Sequence, residues 1–95
     1  QKAASRRRER VLTARPKDGI VYFIQDTVTT AVKVGFCLKK PEKRLAALQT
    51  GNANPLRLLG HVPGSDAHEG HLHRRFSRFR IQGEWFASAI LARVD

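Results

Sequence analysis

The 95-residue sequence predicts a single small α+β domain, a three-stranded, mainly antiparallel sheet flanked by helices. Three patterns carry that prediction. Residues 20–25 and 31–37 are short β-branched and aromatic runs joined by a polar turn, the signature of a hairpin. Pro41 and Gly51-Asn52 bracket a stretch of helical length, proline starting it and glycine ending it. Further on, Leu72, Phe76 and Phe79 recur at the i, i+4, i+7 spacing of an apolar helix face.

The elements follow in order. Residues 1–17 carry seven basic residues and one acidic, a net of +6, whereas residues 18–95 carry 11 and 7, a net of +4. Few large apolar residues occur in this extension and Pro16 closes it. It reads as a solvated basic arm, helical over residues 5–14, that offers Arg6, Arg7 and Arg8 to phosphates, or as a disordered linker or part of a neighbouring domain. In the hairpin, a four-residue loop over 26–29 would pair Gln25 with Thr30 and set Tyr22 opposite Lys33. Tyr22, Lys33 and Gly35 then share one face, and Val21, Phe23, Val32, Val34 and Phe36 pack on the other. The helix over 41–50 turns Leu45 and Leu48 inward. A third strand covers 56–62 after the Asn54-Pro55 turn. Ser65 or Asp66 caps a longer helix reaching about Arg80, with Glu69 and His73 along one edge of its apolar stripe and Arg74, Arg75 and Arg78 toward solvent. Trp85 and Phe86 anchor the last turn, and a short helix spans 87–94.

Composition narrows the function. Eighteen Lys and Arg against eight Asp and Glu give +10, which calls for a polyanionic partner, most simply nucleic acid. The basic residues are spread over several elements and do not gather beside one long apolar face, which ranks an anionic membrane well below. One cysteine, Cys37, excludes an intrachain disulfide and fits a reducing, intracellular setting. No apolar run is long enough to span a bilayer or to serve as a secretion signal. Beginning at Gln1 and stopping in a helix-like stretch, the sequence leaves room for flanking domains of a longer chain.

Tyr22 in the first strand stands eleven residues before Lys33 in the second; Arg44 follows on a short helix and Glu69 on a later one. Phosphodiester hydrolysis needs such a set: a carboxylate for a divalent metal, a cation for charge building on the phosphate, and a polar group to orient or deprotonate water. At these residues the chain resembles the GIY-YIG nuclease superfamily. Gly19-Ile20-Val21-Tyr22 matches its first element, and Lys33-Val34-Gly35 stands where YIG would be. Arg44 opens Arg-Leu-Ala-Ala-Leu-Gln-Thr-Gly-Asn, Glu69 precedes Leu72-His73-Arg74-Arg75-Phe76, and Gly83-Glu84-Trp85-Phe86 closes the module. The string is most similar to the small phage-type and meiotically up-regulated branch, which commonly has lysine for the second tyrosine.

The resemblance implies roles. Glu69 holds Mg²⁺ or Mn²⁺, Arg44 clamps the scissile phosphate, Tyr22 assists the water, and His73 bonds a water, Tyr22 or the metal's surroundings. Each residue has a plainer reading beside it. Glu69 also fits a capping box with Asp66, Arg44 an exposed helix arginine beside Lys43, and Tyr22 half-buried strand packing. Lys33 is harder to explain as packing, because an ammonium within an apolar strand must reach solvent or an anion. It serves either as a neutral general base or as a phosphate-binding cation. Lys39, Lys40 and Lys43 supply further cations for a nucleic-acid backbone. Zinc is disfavoured, since His68, His71 and His73 are poorly spaced for a tetrahedral site. Two departures from the superfamily stand out: the second tyrosine is absent, and no asparagine follows Phe86. The expected function is metal-dependent endonucleolytic cleavage of DNA. The alternatives are a binding module of the same fold with little or no turnover, and a basic domain for an acidic protein.

Overall fold

Alternation in the first two apolar runs builds the centre of the sheet. The computed structural model describes residues 19–93, so the basic arm and its Arg6, Arg7 and Arg8 lie outside the described residues. Strand β1 (Gly19–Asp26) pairs with β2 (Val32–Cys37); helix α1 (Pro41–Thr50), strand β3 (Leu56–Gly64) and helix α2 (Asp66–Arg75) follow. A 3-10 turn (Ser77–Phe79), strands β4 (Arg80–Gln82) and β5 (Trp85–Phe86), and a second 3-10 helix (Ser88–Arg93) complete the domain. The sheet runs β3-β1-β2-β5-β4 and every pairing is antiparallel. The α+β class stands, but the sheet has five strands, not three. The two added strands are only three and two residues long, turning at Gly83 with φ 56°, a conformation that favours glycine.

The hairpin register also differs from the expected one. Asp26 N–H donates to Ala31 O and Thr30 N–H donates to Asp26 O, so the four-residue loop is 27–30, one residue later than expected. Asp26 causes the displacement: its Oδ1 accepts from the backbone N–H of Val28 at 2.8 Å and of Thr29 at 3.0 Å, closing an Asx-type turn. Tyr22 therefore pairs with Gly35, and Lys33 with Ile24. Because this register differs by two residues, side-chain parity survives and Tyr22, Lys33 and Gly35 still share a face.

The opposite face carries the core. Val21, Phe23, Val32 and Val34 pack against Leu72 and Phe76 of α2, Phe86 of β5 and Ile90 of the last 3-10 helix. An extra residue in β3 opposite Phe23 and Ile24, at Leu59, forms a bulge that turns this leucine onto the core. Helix α2 ends at Arg75, short of the expected Arg80. Ala87 N–H bonds Phe79 O at 2.8 Å and Arg80 pairs with Phe86, so joining the sheet wins over another helical turn. Helix α1 has the expected bounds, with Pro41 at its start and Leu45 and Leu48 half-buried. It packs on β1 and β3 from the Tyr22 side. Among the described residues, no helix is long and apolar enough to cross a membrane.

Candidate active site

The site forms where β2 outruns its neighbour. Strand β5 pairs only with Val32 and Lys33, leaving the outer edge of β2 beyond that point to be met by other groups. Glu84 O accepts from Val34 N–H at 3.0 Å, and His73 Nε2 donates to Val34 O at 2.8 Å. That second bond fixes the imidazole. In the neutral ring it leaves Nδ1 as the nitrogen with a free lone pair.

Tyr22 reaches this edge across a glycine. Its side chain is 1% exposed, so it is far more than half-buried packing. The phenol lies over Gly35, where an added Cβ would overlap both ring and hydroxyl. Glycine here admits the tyrosine side chain. Beyond it the phenol oxygen accepts from Arg44 Nε at 3.3 Å. Arg44 leans from the first turn of α1 toward the sheet, and its pKa is raised, first by its contact with the Tyr22 oxygen and further by the Glu84 carboxylate, with burial opposing.

Lys33 is 9% exposed and projects from the same face as Tyr22. Its Nζ forms an ion pair of 2.7 Å with Glu84 Oε1 and lies 5.9 Å from the centroid of the Trp85 ring. The β4–β5 turn thus answers the buried ammonium with a carboxylate, and no buried side-chain polar atom among the described residues lacks a partner.

Glu69 completes the cluster from α2. Ser65 is the N-cap, its hydroxyl accepting from His68 N–H at 3.3 Å. Glu69 is then the fourth helical residue, one beyond the position a capping box requires. Its carboxyl pKa is raised, chiefly by burial and next by the neighbouring Glu84 charge, with His73 and Lys33 opposing. Ligand atoms of Glu69, His73 and Glu84 lie within 4.8 Å of one another. Two oxygens and a nitrogen at that spacing can close on one divalent ion with bonds of about 2.1 Å after modest side-chain movement. His68 and His71 are exposed and take no part in this group.

Tyr22, Lys33, Arg44, Glu69 and His73 therefore meet at one edge of the sheet, although they come from four elements. Lys39, Lys40 and Lys43 do not enter the cluster. They line an adjoining open groove of about 510 Å³ whose floor includes Phe36 and Ala47, and Arg44 borders both. Glu84 is the residue that sequence reasoning passed over as a site member; its only signal was the closing Gly83-Glu84-Trp85-Phe86 string. Asn52 and Asn54 stay remote from the cluster and organise the turn before β3, Asn54 Nδ2 donating to Asp26 Oδ2 at 2.8 Å.

A compact α+β domain with paired carboxylates, an imidazole and two cations at one sheet edge defines the class. The chain belongs to the T5orf172 domain family, whose model matches residues 19–95. No curated protein and no solved structure matches it.

Proposed function

We propose that the domain is a metal-dependent endonuclease of GIY-YIG type that hydrolyses phosphodiester bonds in DNA. The observation that carries this reading is the convergence of Tyr22, Arg44, Lys33 and Glu69 beside the Glu69–His73–Glu84 group. The family supports it, being a phage-type domain associated with homing-endonuclease and GIY-YIG-like proteins. Glu69, joined by Glu84 and Nδ1 of His73, would hold Mg²⁺ or Mn²⁺. A divalent ion bound there supplies charge neutralisation at a phosphate oxygen.

The chain's own groups divide the remaining work. Arg44 presents a planar guanidinium to the phosphate while its Nε fixes the Tyr22 hydroxyl. With that oxygen accepting from Arg44, the phenol O–H is free to point at the attacking water and orient it. Lys33 acts as a cation near the reacting phosphate, because it already stands in an ion pair and not in an apolar pocket suited to a neutral amine. Phe86 and Trp85 wall the site, the Phe86 ring lying 5.2 Å from that of His73. The same Lys33–Glu84 pair favours the second reading, a binding module with little turnover, since the two groups neutralise each other.

Supercoiled-plasmid nicking with and without Mg²⁺ or Mn²⁺ decides between them. Glu69→Gln is expected to lower cleavage by on the order of 10²-fold or more, with DNA affinity kept within a few-fold because the basic surface is intact. A mutant that cuts like the parent would remove Glu69 from the chemistry.

A further inference from the structure

A second cationic surface lies away from the candidate active site. Arg75 at the end of α2, Arg78 in the following 3-10 turn and Arg93 in the last 3-10 helix surround Phe76 and Phe79, lining a concavity of about 270 Å³. The Arg78 and Arg93 guanidiniums lie over the Phe79 ring, 5.0 and 5.1 Å from its centroid, and Arg75 lies 5.7 Å from that of Phe76. Arg75 Nη2 also donates to Arg93 O at 3.4 Å, tying two of the three positions together.

This gathering has no charge partner among the described residues, whose acidic side chains lie elsewhere: Asp26 in the hairpin turn, Glu42 on α1, Asp66 and Glu69 at the start of α2, Glu84 with Lys33. The helix dipole accounts for a cation at Arg75, in the last turn of α2. It does not account for Arg78 or Arg93, which belong to separate elements. Packing on phenylalanine explains why each guanidinium is held over a ring. It does not explain why three like charges converge on one concavity. At roughly 100° per residue, Arg75 falls on the flank of the apolar stripe opposite Glu69 and His73, so this surface is separate from the cleft.

We propose that Arg75, Arg78 and Arg93 form a second phosphate-binding surface that holds a nucleic-acid backbone away from the cleavage site. Planar guanidiniums pre-oriented over aromatic rings suit two-point contacts to phosphate oxygens. Because they cover the Phe79 ring, the concavity offers charge in place of apolar surface to insert into a bilayer. The proposal rests on the nucleic-acid reading above only for the identity of the polyanion, and needs no turnover.

The test is duplex DNA binding by the full chain in EDTA, at several salt concentrations, so that loss of cleavage cannot disturb the result. Arg78→Ala/Arg93→Ala is expected to weaken binding several-fold and flatten the log–log salt dependence by about 0.9 for each contact removed. The exposed single change Arg78→Gln, which leaves the Arg75–Arg93 bond intact, should flatten it by about half as much, and Arg78→Lys/Arg93→Lys should restore most of the slope. Losses from this pair and from Lys39→Ala/Lys43→Ala should add in free energy, as expected for separate surfaces. An unchanged slope in folded Arg78→Gln, or a loss already contained in the lysine pair, overturns the assignment.

Discussion

Gly35 is the residue on which the geometry of Tyr22 depends. A methyl group there would collide with the phenol ring and hydroxyl, both enclosed by the fold. Gly35→Ala is therefore expected to destabilise the domain by about 1–3 kcal/mol, the usual result of overfilling a packed site. It should also displace the hydroxyl from Arg44 and depress nicking beyond what the lost stability explains; thermal melting and cleavage measured together separate the two effects. Glu69 carries the opposite sign for stability. Its folded pKa is raised, so at neutral pH the ionised carboxylate opposes folding, and stability returns as pH falls through the raised value. Metal-free Glu69→Gln should melt no lower than the parent at pH 7, with any advantage shrinking as the pH approaches the ordinary glutamate value of 4.5, while added Mn²⁺ should raise the melting temperature of the parent alone. Tyr22, Lys33, Arg44, Glu69 and His73 could be picked from the sequence because each stands in a recognisable string. Glu84 could not be assigned a partner, since its nearness to Lys33 exists only once a two-residue turn folds beside β2.

Among the elements, the β1–β2 hairpin shows how a short polar segment sets a site. Asp26 binds its own turn through Oδ1 and the turn before β3 through Oδ2. The Asn54 hydrogen bond, with those from Thr29 and Val28, holds its carboxyl below the ordinary value of 3.8, against a smaller opposing effect of burial. A depressed folded pKa contributes stability that is present above 3.8 and lost as the pH falls through the lower folded value. Asp26→Ala should lower the melting temperature at pH 7 and flatten the acid limb of a stability–pH curve below pH 3.8; an acid limb of unchanged depth would assign that loss to other carboxylates. The strand runs, α1 and the face shared by Tyr22 and Lys33 were legible because periodicity and parity are local properties. The register was not, because a hydrogen bond from the Val28 or Thr29 N–H to the Asp26 carboxylate leaves no mark on the alternation. Strands β4 and β5 are too short to alternate at all, and the end of α2 is set by the Arg80–Phe86 pairing and the flanking bond from Ala87 N–H to Phe79 O, which helical spacing cannot show.

At the scale of the molecule, the cationic groups divide into sets that the overall charge of +10 hides. Lys39, Lys40 and Lys43 border the site groove, and Arg75, Arg78 and Arg93 lie on the other flank of α2. Charge count alone predicts a polyanionic partner, but only the fold separates these surfaces. The core is likewise a property of the whole: Val21 and Phe23 come from the first strand and Phe86 and Ile90 from the last elements.

Strand β2 sits between β1 and β5, so its outer edge is closed by residues that follow it by some fifty positions, Glu84 bonding both Val34 and Lys33. The site is thus made of contacts of long sequence separation, the kind that form late in folding. A chain emerging from the ribosome exposes Tyr22, Lys33 and Arg44 early, yet they have no carboxylate partner from α2 or the β4–β5 turn until both have emerged. An incomplete chain therefore cannot assemble the cluster, whose geometry arrives with the last strand.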